Sequence, residues 1–359
     1  MLDIAVLVGA FSVILVGAEL FTNGIEWFGH KLELAEGAVG SVLAAVGTAL
    51  PETMIPLIAI LGGSSEGASH VGVGAILGAP FMLATLAMFV TGLAVVLLAR
   101  RRATGEGMVV DTGVLGTDIR FFAVGYALAI AAAFLPQEPH WTRWAVALVL
   151  LGLYAVYVRS HFVTEAAEEA ADDAAEAAEP DLAPLRLHRL DRRAPAELRV
   201  PRLRIVTFQV ALSLVAIVLG ANLFVGAVED LAHSLAVDPT VLALVIAPIA
   251  TELPEKLNSV IWVRQGKDTL AMGNITGAMV FQSVFPTSIG LLFAPAAWAI
   301  GPSSLLPFLS AAITFAAAAA VFGPMALRGR LGGRSLLVGG AFYIGYLGLV
   351  AADLAGVIG

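Results

Sequence analysis

Long apolar runs separated by short polar breaks dominate the chain, at about 4–28, 35–61, 71–99, 119–135, 141–159, 204–228, 238–263, 269–295, 303–325 and 334–357. Most exceed the roughly 20 residues that a helix needs to cross a bilayer. The fourth run is the shortest: between Arg120 and Pro136 it offers only about the lower limit of a spanning segment. It is retained because the charge pattern requires it. With the N-terminus outside, Lys31, Arg100, Arg101, Arg102, Arg120, the basic residues from Arg159 to Arg204, Arg264, Lys267, Arg328, Arg330 and Arg334 all fall in cytoplasmic loops. The outer loops then hold only Arg143, and dropping or adding one span scrambles this positive-inside bias. The pattern predicts an all-α membrane protein of ten transmembrane helices with both termini outside.

Composition agrees with a bilayer as solvent. Hydrophobic residues make up 59% of 359 and charged residues 13%, with a mean hydropathy of +0.90, which is more apolar than a soluble domain can bury. There is no cysteine, which leaves redox chemistry and thiolate metal sites without a residue. Nothing basic precedes the first run, which is longer than the apolar core of a signal peptide and is expected to stay as a spanning helix. The net charge of −8 says little about a site, because ten acids lie between Glu165 and Glu197 in the one long loop. That loop, residues 160–203, separates a first membrane repeat, 1–159, from a second, 204–359. Its Ala/Glu part has helical composition without an apolar stripe, as expected of a solvated linker. Arginine outnumbers lysine 17 to 3 and alanine is abundant, a slight pointer to a bacterial inner membrane.

The halves are self-similar. A constant offset of 203 pairs Gly17, Ala18, Leu20, Phe21 and Glu26 with Gly220, Ala221, Leu223, Phe224 and Glu229, and Thr48, Leu50, Pro51 and Glu52 with Thr251, Leu253, Pro254 and Glu255. After the next loop an offset of 199 matches Gly74 and Gly78 to Gly273 and Gly277. Five spans per half is an odd number, so the two copies are expected to be inverted relative to each other, an arrangement that supports alternating access.

The sharpest motif is GTALPE, Gly47–Glu52, with its counterpart ATELPE, Ala250–Glu255. Proline removes a backbone donor and frees carbonyl oxygens, which are cation ligands when they face a cavity. Thr48 and Glu52, like Thr251 and Glu255, are four residues apart and share a helix face. A glutamate at membrane depth costs several kcal/mol unless paired, protonated or cation-bound. One such acid is explained equally well as a helix tie, but a duplicated pair beside duplicated Thr and Pro points to a cation site. Oxygen-only ligands suit hard cations such as Ca2+, Na+ or Mg2+ and are poor for copper or zinc.

These residues resemble the cation/Ca2+ antiporter superfamily, in its sodium/calcium exchanger branch. The resemblance rests on the duplicated GTSxPE-like motif in helices 2 and 7 and on GNxxGSN-like segments in helices 3 and 8, here GAILGAPFML from Gly74 and GNITGAMVFQ from Gly273. It implies a secondary antiporter exchanging Ca2+ for Na+ at a midplane site, with a lipid bilayer as surroundings and no cofactor or nucleic acid. Thr48, Glu52, Thr251 and Glu255 are the implied ligands. The motif serine is replaced by Ala49 and by Glu252, the later serines by Ala79 and Ala278, and the final polar ligands by Leu83 and Gln282. Several oxygens used for Na+ are therefore missing, while Glu252 restores a carboxylate and Gln282 offers a neutral ligand. Lys256 follows Glu252 by four, the favourable order for an ion pair. Glu52, Glu252, Glu255 and Lys256 together carry −2, which one Ca2+, two Na+ or two protons would balance. A Ca2+/H+ or Mg2+/Na+ exchanger of the same fold is the alternative, and a non-transporting scaffold a further one. No nucleophile–base pair or His-rich motif supports an intramembrane enzyme.

Overall fold

The computed structural model of the protein describes residues 2–31, 50–62, 66–136, 138–172, 184–188, 201–235, 253–301 and 305–355. The described chain is almost entirely helical. In order, the helices are α1 (Leu2–Lys31), α2 (Leu50–Leu61), α3 (Glu66–Met82, continued by a π segment Leu83–Ala87 and by Met88–Leu98), α4 (Thr112–Ala131), α5 (Trp141–Asp172), α6 (Leu203–Leu235), α7 (Leu253–Gln265), α8 (Asp268–Phe293), α9 (Leu305–Arg328) and α10 (Gly333–Leu354). Seven segments, in α3–α6 and α8–α10, are long and apolar enough to cross a membrane. Helix α1 contributes a shorter apolar stretch, Ala5–Phe21, and α2 another, Glu52–Leu61. Large apolar side chains such as Val8, Val16, Leu148 and Leu219 are exposed, as expected where lipid is the solvent.

The fourth helix begins earlier than the apolar run suggests. Asp111 caps it, its carboxylate accepting from the Gly113 and Val114 N–H groups, so the orphan donors of the first turn are satisfied at residue 112. The helix therefore reaches a full spanning length, and Arg120, expected in a loop, lies within it. Helix α5 likewise runs through residue 160 to Asp172, so no break in the backbone separates the first half from the linker.

Helices α1 and α6 form the most extensive pair, and glycine sets their separation. A Cβ on Gly17 would sit 2.8 Å from Ile217 Cγ1 and 3.3 Å from the Ser213 carbonyl, while one on Gly220 would sit 2.8 Å from Ile14 Cγ1 and 3.2 Å from the Ala10 carbonyl. Adding 203 to 10, 14 and 17 gives 213, 217 and 220, so each contact is matched by its repeat-exchanged counterpart. Leu7, Ala10 and Ile14 of α1 and Ala221, Phe224 and Val228 of α6 pack with Ile55, Ala59, Val71 and Ala75 of α2 and early α3 in one core. The larger core joins the rest of α3 to α4, α5, α7, α8, α9 and α10.

One face of the bundle gathers the loops after α3, α7 and α9. Arg102 donates to both Asp268 oxygens, at 2.9 and 2.6 Å, and to the carbonyl of Val263. Strands β1 (Gly107–Met108) and β2 (Leu331–Gly332) pair antiparallel, and Arg334 bridges Glu106. The linker also docks within the bundle. Leu185 is buried with Trp27 and Val206, the Arg186 N–H donates to Asn23 Oδ1 and the Leu187 N–H to Gln209 Oε1, both at 2.8 Å. Asn23 and Gln209 are buried polar groups of α1 and α6, and a buried amide is stable only when its hydrogen bonds are made. Arg143, the one basic residue expected outside, is fully buried and donates to the Leu135 and Pro136 carbonyls.

Candidate functional site

Helix α2 packs against α3, α6 and α8, and α7 packs against α8 and α3. The motif helices are thus held in one cluster by the core. Glu52, on the first turn of α2, is 5% exposed, and Gln282, midway along α8, is 2% exposed. The contact between α2 and α8 brings the helix bearing the motif carboxylate of one half against the helix bearing the polar amide of the other. Glu255 is the third residue of α7. Thr48, Thr251 and Glu252 lie outside the described residues.

Lys256 is also buried, at 5% exposure. Burying an ammonium and a carboxylate in one bundle favours their mutual compensation over either alone. The positions where the sequence departs from the antiporter pattern are apolar and enclosed: Ala79, Ala278 and Leu83 are all buried. Leu83 begins the π segment of α3, a local widening that recurs near functional sites. There Thr85 donates to the Phe81 carbonyl at 2.6 Å. Among the described residues no three His, Cys, Asp or Glu side chains converge as a metal cluster.

The repeat-matched glycines of α8 are not sites of close packing: Gly273 would meet nothing within 4 Å if given a Cβ, and Gly277 only the Tyr157 hydroxyl at 3.4 Å. Closer approaches by glycine lie elsewhere, at Gly339 and Gly340, whose added Cβ atoms would fall 2.5 Å from the Thr85 carbonyl and from Phe89 Cδ2.

A second polar cluster was missed from sequence. Asp118 of α4 is 1% exposed. Its Oδ2 accepts from Thr276 of α8 at 2.6 Å, and its Oδ1 lies 3.0 Å from both the Tyr157 hydroxyl and His161 Nε2 of α5. Only the burial of Asp118 had a signal: with the helix starting after Asp111, Leu115 and Phe122 lie three before and four after it, on one face, and both are buried.

The model of the sodium/calcium exchanger protein family matches residues 2–163 and 205–353. The chain belongs to that family. Its fold resembles the crystal structure of the H+/Ca2+ exchanger CAX, with a TM-score of 0.69 and 16% identity over 96% of this chain and 82% of that one. It also resembles the sodium–calcium exchanger NCX_Mj soaked with Na+ and Sr2+, with a TM-score of 0.57 and 16% identity over 97% of this chain and 98% of that one. In sequence it is 33% identical over 88 residues to the sodium/calcium exchanger MaX1 of Methanosarcina acetivorans, covering 24% of this chain and 25% of that protein. Such sequence matches span only about a quarter of the curated relatives' length. The chain is accordingly an integral membrane protein of an exchanger family.

Proposed function

We propose that the protein is a secondary antiporter that exchanges Ca2+ for Na+ across a bacterial inner membrane, through ten spans arranged as two inverted repeats. The repeats are residues 1–159 and 204–359, joined by a cytoplasmic linker at 160–203, with both termini outside. Glu52 and Glu255 bind the divalent ion, Thr48 and Thr251 add hydroxyl or carbonyl oxygens, and Glu252 and Gln282 tune the charge. The observation that carries this reading is the burial of Glu52 on α2, a helix that packs against α8 of the other half, where Gln282 is buried. An ionisable group so placed marks an ion path by default.

The inverted-repeat reading draws support from the reciprocal contacts of Gly17 with Ile217 and of Gly220 with Ile14. The topology is supported by Arg102, Arg264, Lys267 and Arg334, which belong to loops or helix ends gathered at one face. Helices α1 and α6 share a smaller core with α2 and early α3, set apart from the larger one. Sliding of the α1–α6 pair along this smaller core would alternate access to the site.

Proton coupling in place of Na+ is the second reading. It is favoured by the buried Ala79, Ala278 and Leu83, which supply no side-chain oxygen for monovalent ions, and by the buried ammonium of Lys256. In proteoliposomes, Glu52→Gln and Glu255→Gln are each expected to abolish Ca2+ uptake driven by an ion gradient. Full uptake by either variant overturns its assigned role. Imposing Na+ and H+ gradients separately distinguishes the coupling ions.

A further inference from the structure

Asp118 is a buried carboxylate that the proposed ion site does not use. Thr276, which holds it, precedes Gln282 by six residues on α8, so the two side chains lie about 120° apart around the helix. The Asp118 cluster and the ion site thus address different faces of one helix.

Among the described residues its surroundings are sparse in charge. From α5 it meets Tyr157 and His161, with Tyr154 next to Tyr157. From α8 it meets only the neutral Thr276, and the single acid of that helix, Asp268, is engaged by Arg102 two turns away. Helix α9, which also packs on α4, carries no ionisable residue before Arg328. On α4 itself Arg120 is exposed, as is Arg159 of α5. Among the described residues, His161 is the basic group within ion-pair distance of Asp118, at 3.0 Å. Its side chain is 18% exposed against 2% for Asp118, so His161 is the more exposed member of this ion pair.

The hydrogen bonds have two self-consistent arrangements. A threonine hydroxyl has one proton to give. Here Thr276 directs it to Asp118 Oδ2 at 2.6 Å, while the Met272 carbonyl of its own helix stands 3.1 Å away as the alternative acceptor. A proton placed on Oδ2 reverses the first bond: the acid donates to Thr276, and Thr276 turns its own proton to Met272. Back-bonding of a threonine to the carbonyl four residues earlier bends a helix. The bent helix would be the one that carries Gln282 and packs against α2.

We propose that Asp118, with His161, Tyr157 and Thr276 around it, is a proton-binding site separate from the motif carboxylates, and that its occupancy sets the affinity for the transported divalent cation through α8. The second half of this statement rests on the antiporter reading above; the first does not. Proton binding needs no other co-reactant: water supplies the proton through His161, and Asp118 retains it without any bond to carbon changing.

The test uses the full-length protein in lipid, with Ca2+ absent, stepped in pH while infrared difference spectra are recorded. A carboxylic-acid carbonyl band is expected in the wild type, absent in Asp118→Asn and shifted in Thr276→Val, which loses the hydroxyl partner. A band that survives in Asp118→Asn and vanishes in Glu52→Gln overturns the proposal, as does the absence of any such band. In proteoliposomes, one linked proton changes the apparent Ca2+ affinity by at most about tenfold per pH unit. Asp118→Asn should retain uptake but lose that share of the pH dependence, and His161→Gln, which keeps a donor without a charge, should shift it. An unaltered pH profile in both variants overturns the link to transport. If instead Glu52→Gln transports normally while the Asp118 band persists, the ion-site assignment fails and the proton site stands. Should Asp118→Asn not fold, Thr276→Val and His161→Gln carry both measurements.

Discussion

Arg102 Nη2 lies 2.6 Å from Asp268 Oδ2, and the two side chains are 4% and 1% exposed. The pair ties the loop after α3 to the start of α8, and Asp268 also accepts from the Val109 N–H at 2.9 Å. Removing one partner of a buried ion pair strands the other charge, at a cost of about 3–5 kcal/mol. Arg102→Ala should therefore lower the thermal unfolding temperature in detergent markedly. Arg334→Ala, which breaks the exposed bridge to Glu106, should cost less than about 1 kcal/mol. Equal losses in the two variants would contradict this ranking.

The docked linker gives a local prediction. Because the Leu187 amide donates to Gln209, it should be protected from hydrogen exchange, and Gln209→Leu should release it. One neutral hydrogen bond contributes about 0.5–1.5 kcal/mol, so the amide should exchange roughly three- to tenfold faster in the variant. The Arg186 amide, held by Asn23, should be affected less. Unchanged exchange at Leu187 would mean the segment is held by Leu185 alone.

At the α3–α10 crossing, a methyl on Gly339 would meet the Thr85 carbonyl at 2.5 Å. Backbone cannot yield as a side-chain tip does, so Gly339→Ala should destabilise by about 1–3 kcal/mol. Gly348→Ala, on the same helix with nothing within 4 Å of the added Cβ, should instead stabilise by roughly 0.5–1 kcal/mol through helix entropy. Paired thermal melts decide the point.

Lys256→Met tests the charge balance of the proposed ion site. With Glu52, Glu252 and Glu255 retained, the four-residue sum moves from −2 to −3. Removing a buried like charge near a bound cation is expected to tighten Ca2+ binding by at least about tenfold at an effective dielectric near 20. Calorimetric titration reads this directly, and an unaltered Kd would place the ammonium outside the ion's field.

Seven of the apolar runs in the sequence correspond to helices long and apolar enough to cross a membrane, because hydropathy reports the cost of exposing polar backbone to lipid, a constraint that acts on every residue of a span. Boundaries were less legible where a capping residue mattered more than apolarity. Asp111 starts α4 well before the apolar run, and in doing so carries Asp118 and Arg120 into the helix. The burial of Glu52 and Gln282 was readable from duplicated motifs. The Asp118 cluster was not, since it joins α4, α5 and α8 across sequence separations of 39 to 158 residues and has no repeat-related counterpart to draw attention to it. Nor could sequence show that Leu185, in a polar linker, is a buried anchor.

The mutual seating of Gly17 on Ile217 and Gly220 on Ile14 is self-complementary, as in a twofold homodimer in which each subunit offers the same patch. A backbone cut between the end of α5 and the docked Pro184–His188 segment should thus leave two polypeptides that still recognise each other. Co-expressed as separate chains in one membrane, they would be expected to co-purify, with the glycine seam as their meeting surface.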